Sequence, residues 1–285
     1  VPRFTVPDAL ARDLCSRLGT PLPSTFDEVV SLYRAWCARL PFDNVAKSIA
    51  LLDGTTPPGA DAVEVIERWM ETGIGSTCWG HCTAFAGMLG VAGIDSRVAV
   101  DRMVRDDDVV DFHSFVVADI DGSPWAFDHI HVTERPLRLE AGEAATFGAY
   151  AAGFRRDDGR LVHWFANPER PGVDGRYVVL AADLDLDDVR AFCQISRQFT
   201  GVRSGRLFSR RFPASGMVHG RPADDGTAIE VRRWSGTTCT TETIVDPDAA
   251  LAALGYPLAA RALVERAGMV SVVDGSVRWA TGPAT

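Results

Sequence analysis

The sequence predicts an α+β protein in three parts: an N-terminal helical bundle, a central antiparallel β-barrel and a C-terminal α/β lid. Three observations carry this. Apolar residues recur at helical spacing through most of residues 1–92. Short strand-like runs separated by turn signals fill 93–186. In 187–285 strand runs with Asp-Gly and Ser-Gly turns stand between two helical stretches. At 285 residues the chain is long for one core and comfortable for two or three packed units.

In the first part, Val6, Leu10, Leu14 and Leu18 form one stripe, and Phe26, Val29, Val30, Leu32, Tyr33, Trp36 and Leu40 form a second apolar face. Ser24-Thr25 opens the second helix with Asp27-Glu28 in its first turn, and Pro41 closes it. Cys15 and Cys37 lie on these faces and read as small core hydrophobes. After the loop Gly54 to Gly59, residues 60–70 form another amphipathic helix. Then comes Gly75-Ser76-Thr77-Cys78-Trp79-Gly80-His81-Cys82. Ser76 and Thr77 are good N-cap residues, and the helical pattern runs on until Gly93 stops it. Cys78 therefore sits at a helix N-terminus, where unpaired N–H groups and the helix dipole favour thiolate over thiol.

The second part opens with the strand Ser96 to Val100. Asp111 to Ile120 and Trp125 to Val132 then read as a hairpin around Asp121-Gly122-Ser123-Pro124. A loop of two or four residues puts His113 and Asp128 on one face, whereas three would separate them. Pro124 does not suit the middle of a two-residue turn, so four residues are expected, with Ile120 opposite Trp125 and Asp128 two pairs away from His113. This register puts His129 and His131 on the face opposite Asp128, as pocket wall or surface, with His131 an alternative base. His163 to Phe165 and Arg176 to Leu180 complete the strands read here. The spacing permits a Cys78–His113–Asp128 triad. In the third part a short helix begins at Leu186, strands are expected at 208–217, 228–234 and 239–245, a terminal helix at 247–267, and a last hairpin around Asp274-Gly275.

These residues resemble the arylamine N-acetyltransferases, a family with a transglutaminase-like or papain-like catalytic core. The order and spacing of Cys78, His113 and Asp128 are similar to that family's triad, and Trp79 stands where it has Phe or Trp. Pro41-Phe42-Asp43-Asn44-Val45 resembles its Pro-Phe-Glu-Asn-Leu segment, and Arg135 to Leu139 its Pro-Leu-x-Leu run. The likeness covers roughly residues 35–140. Departures cluster around the nucleophile. Where the family writes Arg-Gly-Gly-x-Cys-Phe-Glu-x-Asn, this chain has Ile74 to Cys82, and after Asp128 the family's Val-Gly-Phe-Gly becomes His129-Ile130-His131-Val132.

The resemblance implies a cysteine-dependent acyltransferase. Cys78 would be the nucleophile, His113 the base and Asp128 the group that orients it, with an acyl-Cys78 intermediate between a thioester donor and an amine or hydroxyl acceptor. The donor would be an acyl-CoA or acyl-carrier-protein thioester, with no tightly bound cofactor. The altered flanks favour biosynthetic amide formation over arylamine acetylation proper. A transglutaminase-like thiol hydrolase and a non-catalytic binding module are the other readings.

Between Ile195 and Pro222 stand six arginines, Arg197, Arg203, Arg206, Arg210, Arg211 and Arg221, and no acidic residue. That local field, with Thr200, Ser204 and Ser209, is a candidate cradle for the phosphates of coenzyme A or a pantetheine arm; a solvated arginine face is the alternative. The sharpest set is Arg197, Thr200, Arg203, Ser204 and Arg206. A formal net charge of −9 argues against nucleic-acid partners. No apolar run reaches membrane-spanning length, and with six scattered cysteines and no secretory pattern the chain reads as cytoplasmic with free thiols. Cys78 and Cys82, with His81, His113, His129 and His131, raise zinc as competing chemistry, but there is no second Cys pair, and no metal is expected. Cys82 reads as a packed thiol one turn beyond Cys78.

Overall fold

The computed structural model describes residues 4–105, 108–148, 150–166, 174–196, 205–214, 216–273 and 276–281. Five helices come first: α1 (Asp8–Leu18), α2 (Phe26–Arg39), α3 (Val45–Leu52), α4 (Ala62–Thr72) and α5 (Cys78–Val91), with a two-residue strand β1 (Phe42–Asp43) between α2 and α3. Thr25 caps α2 in a capping box with Glu28, as the Ser24-Thr25 signal anticipates. Residues 78–89 of α5 are buried all round, so α5 is a central rod rather than a surface helix.

An eight-stranded antiparallel sheet follows: β2 (Ser96–Arg105), β3 (Asp108–Ile120), β4 (Ser123–Phe127), β5 (Leu137–Arg138), β6 (Ala144–Phe147), β7 (Tyr150–Asp157), β8 (Arg160–Ala166) and β9 (Asp174–Leu184), in the spatial order β5-β4-β3-β2-β9-β8-β7-β6. Ala99, Phe115, Ala126, Leu137, Phe154, Phe165 and Tyr177, drawn from seven of these strands, meet in one core, which makes the sheet a nearly closed barrel. The two faces of β3 part accordingly. Phe115 and Val117 enter the barrel core, while Val116 and Ala118 join the helical core around α5.

After α6 (Leu186–Ile195), strands β10 (Ser209–Arg211), β11 (Gly216–Pro222), β12 (Ile229–Ser235) and β13 (Thr238–Ile244) form an antiparallel sheet whose outer strand is β1, from far upstream. Helices α7 (Pro247–Leu254) and α8 (Ala260–Arg266) and the hairpin β14 (Val270–Val273) and β15 (Ser276–Trp279) complete it. The expected strand 208–217 is two strands parted at Pro213, and the expected helix 247–267 is two helices, because Gly255 ends α7 and Pro257 follows at once. Among the described residues no helix is long and apolar enough to cross a membrane.

The β3–β4 hairpin differs from expectation in one telling way. Its loop is two residues, Asp121 and Gly122, both at positive φ (51° and 73°), with Ile120 opposite Ser123 and Ala118 opposite Trp125. Pro124 is accommodated inside β4 opposite Asp119, with its carbonyl accepting from Leu139 N on the β5 side. The shorter turn keeps the parity and slides Asp128 one pair closer to His113.

Candidate active site

Cys78 is the first residue of α5 and is buried. Thr77 occupies the N-cap, and its side chain makes no capping bond. The approach to Cys78 is fixed by the Pro41-Phe42-Asp43-Asn44 segment, which works as a junction. Pro41 O accepts from His81 Nε2–H at 3.1 Å, and Asp43 N donates to Ser76 O at 3.0 Å. Asp43 Oδ2 accepts from Gly75 N at 2.8 Å, and a Cβ on Gly75 would lie 1.7 Å from Pro41 O, so only glycine lets these strands touch. The Asn44 side chain donates to Arg206 O at 2.8 Å and accepts from Phe208 N at 3.0 Å, tying the junction to the C-terminal part.

His113 stands on the barrel face of β3, and Asp128 lies just beyond the end of β4. His113 Nε2 and Asp128 Oδ2 are 2.7 Å apart, both residues are buried, and the Cys78 side chain is a hydrogen-bond partner of His113. Nε2 being taken by the carboxylate, Nδ1 is the nitrogen left for the thiol. Asp128 Oδ1 accepts from Ile130 N at 2.8 Å and His131 N at 2.9 Å, and the Tyr33 hydroxyl donates to its main-chain carbonyl. Burial alone would lower the His113 pKa. The carboxylates of Asp128 and Asp101 and the bonds to Asp128 and Cys78 overcome it and hold His113 well above its ordinary value. Burial likewise would raise Asp128, but His113, His131 and His163 around it hold its carboxyl well below the usual range. The three residues thus form a buried line in which an imidazolium is favoured beside a thiol.

His129 and His131 do not alternate onto the sheet face opposite Asp128. Strand β4 ends at Phe127 and the chain turns over the Asp128 carboxylate, so both imidazoles go inward. His129 packs against Tyr33, Trp36, His81 and Phe85, and His131 stacks on Phe165 at 3.7 Å between ring centroids. Neither ring has a hydrogen-bond partner among the described residues, and burial pushes the pKa of each well below the usual histidine range. His81 has both nitrogens engaged, accepting from Trp36 Nε1–H at 2.8 Å and donating to Pro41 O, and burial draws it down to about 4. It offers no lone pair to a metal. Ligand-capable atoms of His113, Asp128 and His131 lie within 4.8 Å of one another, yet both Asp128 oxygens are already used by His113 and the two amides. Cys82 is a packed thiol, receiving the Ser114 hydroxyl at 3.5 Å, with burial holding its pKa well above normal.

Of the expected phosphate-binding set, Arg197, Thr200, Arg203 and Ser204 fall outside the described residues, and Arg206 is half-buried with its carbonyl held by Asn44. Sequence reasoning missed Tyr33, Asp101 and Tyr256. Asp101 alone carried a signal, a carboxylate in the run Val98-Ala99-Val100-Asp101 that should otherwise be apolar.

No family model matches the sequence, and no curated protein matches it by sequence. By structure the chain is similar to the arylamine N-acetyltransferase from M. tuberculosis (TM-score 0.69, 15% identity, covering 84% of this chain and 89% of that one). The M. smegmatis arylamine N-acetyltransferase gives a TM-score of 0.70 at 17% identity, covering 89% and 96%. This chain has the arylamine N-acetyltransferase fold. The Bacillus cereus arylamine N-acetyltransferase, described as having a unique Cys-His-Glu triad, matches at a TM-score of 0.67 with 14% identity, covering 86% and 95%. On this arylamine N-acetyltransferase fold the present chain bonds Asp43 to Tyr256 and buries His129 and His131 just after Asp128.

Proposed function

We propose that the protein is a cysteine-dependent acyltransferase that moves an acyl group from a coenzyme A or carrier-protein thioester, through acyl-Cys78, to an amine or hydroxyl. The observation that carries this reading is the buried Cys78–His113–Asp128 line at the start of α5. Cys78 thiolate attacks the thioester carbonyl, and the first-turn amides receive the developing oxyanion. The tetrahedral intermediate collapses, the C–S bond to the donor breaks, and the leaving thiolate takes the proton held by His113. The acceptor then adds to acyl-Cys78 while His113 takes its proton, and the Cys78 thiolate is expelled, restoring the ion pair. Asp128 keeps Nε2 protonated and the ring oriented throughout.

Two inward histidines beside the triad and the loss of the Arg and Glu expected around the nucleophile support a rebuilt acceptor pocket. This favours biosynthetic amide formation over arylamine acetylation. Arg197, Thr200, Arg203, Ser204 and Arg206 remain the proposed cradle for donor phosphates. A cytoplasmic setting agrees with cysteines that stand as free thiols.

The test is intact-mass spectrometry after incubation with a panel of acyl-CoA and acyl-carrier-protein thioesters. One donor should add its acyl mass, Cys78→Ala should abolish the adduct, and small arylamines should discharge it slowly. No adduct from any donor would overturn the acyltransferase reading, and rapid arylamine acetylation would overturn the biosynthetic one.

A further inference from the structure

The floor beneath the triad holds a second carboxylate that the reaction scheme does not use. Asp101 on β2 is the direct cross-strand partner of His113 and is wholly buried. Its Oδ2 accepts from His163 Nδ1–H at 3.2 Å, while Oδ1 has no hydrogen-bond partner among the described residues. The same His163 nitrogen lies 3.8 Å from Asp128 Oδ2. His163 is itself fixed, stacked on Phe154 at 4.9 Å between centroids and set edge-on to Phe115 at 5.8 Å. One imidazole therefore stands between two carboxylates, and both carboxylates flank His113. A partnerless carboxylate oxygen in a barrel core is costly to keep, and nothing in packing calls for it. An imidazolium one strand away does, because opposite charges at cross-strand distance in a dry interior attract strongly.

We propose that Asp101, held in place by His163, is a positioning residue whose charge stabilises the His113 imidazolium and so keeps Cys78 as thiolate at neutral pH. It touches neither the thiol nor the acyl group and acts through the field on His113. This deepens the acyltransferase reading by assigning the source of the nucleophile's basicity, yet it concerns only the Cys78–His113 pair and needs no donor to be tested.

The experiment is the pH dependence of Cys78 alkylation by iodoacetamide, read as mass added at Cys78, in the intact protein and in Asp101→Asn and His163→Phe. Asn keeps the shape of Asp101 and removes its charge. Phe keeps the ring of His163 and removes the donor, which leaves the Asp101 carboxylate bare and drives it neutral. In both variants the midpoint of alkylation should move up by about one pH unit, a roughly tenfold slower reaction on the acid side. The plateau rate at high pH, where the thiolate forms regardless, should stay the same. Superimposable profiles in a folded variant would overturn the proposal, and so would an equal loss at every pH, the mark of a merely structural role. Because alkylation involves no acyl donor, a shifted profile stands even if no thioester ever acylates Cys78, and failure of that reading is seen separately in the mass assay.

Discussion

Acidification from about pH 7 to about 4.5 should destabilise this protein through histidines buried in the neutral form. His81 shows the size of the effect. Its Nδ1 accepts from Trp36 and its Nε2–H donates to Pro41 O, so a second proton has nowhere to go without breaking the Trp36 bond. Its pKa is drawn from 6.5 to about 4, and at ~1.4 kcal/mol per unit the folded state loses roughly 2.5 kcal/mol over that interval. Asp43 works in the opposite sense. Burial, against the bonds from Gly75 and Val45, raises its carboxyl from 3.8 to about 6, so acidification over the same interval relieves about 2 kcal/mol. These two nearly cancel. Asp101, also raised by burial, adds some relief of the same sign as Asp43. His113, with its raised pKa, contributes stability fully present only below 6.5 and so gains a little between pH 7 and 6.5, while Asp128, depressed, contributes stability present above 3.8 and is unchanged in the window. The balance falls to His129 and His131, both depressed by burial and both without hydrogen-bond partners among the described residues, and each destabilises the fold as pH drops below 6.5. Urea unfolding followed by tryptophan fluorescence at several pH values should show a midpoint that falls steadily through this window. His129→Leu, which removes one orphan imidazole from an aromatic pocket, should make that fall shallower. A midpoint that stays level or rises on acidification would refute the reasoning, as would an unchanged slope in His129→Leu.

Asp128→Asn keeps the oxygen that receives Ile130 N and His131 N but presents an amide N–H to His113, so turnover should drop by on the order of ten-thousandfold while the circular dichroism spectrum is retained; loss of less than tenfold would speak against the triad. Gly75→Ala drives a methyl into Pro41 O and should cost about 1–3 kcal/mol in thermal unfolding and slow Cys78 alkylation together, because one contact shapes both. Tyr256→Phe removes the hydroxyl bonded to Asp43 Oδ2 at 3.0 Å and Ser209 Oγ at 2.9 Å and should cost about 1–3 kcal/mol; an unchanged melting temperature would mean that water replaces it.

The setting of Cys78 was legible because it is local: small polar residues before an apolar helical run define the start of α5, and a β3–β4 loop of even length puts His113 and Asp128 on one face. How far apart they lie was not, since that depends on whether Pro124 is read as turn or strand, and only the open β5 side of β4 lets proline in. His129 and His131 were misplaced because alternation applies only while a strand lasts, and the turn over Asp128 ends it. Strands β6 and β7 escaped notice because Ala144, Ala145, Ala151, Ala152 and Gly153 blur the contrast on which alternation depends. Asp101 and His163 are 62 positions apart and meet only because β2, β9 and β8 lie side by side, an arrangement no local pattern encodes.

The junction built on Phe42 and Asp43 also imposes an order of events on synthesis. Strand β1 leaves the ribosome early, yet its pairing partners, Ser209 and Arg210, and the Tyr256 hydroxyl that meets Asp43 come from the last third of the chain. A growing polypeptide therefore exposes the thiol-bearing helix well before the support behind Gly75 exists. On the proposed function, reactivity at Cys78 is then a property of the finished molecule, and a nascent or truncated chain that has already formed its helices and barrel still lacks the contacts that place the thiol.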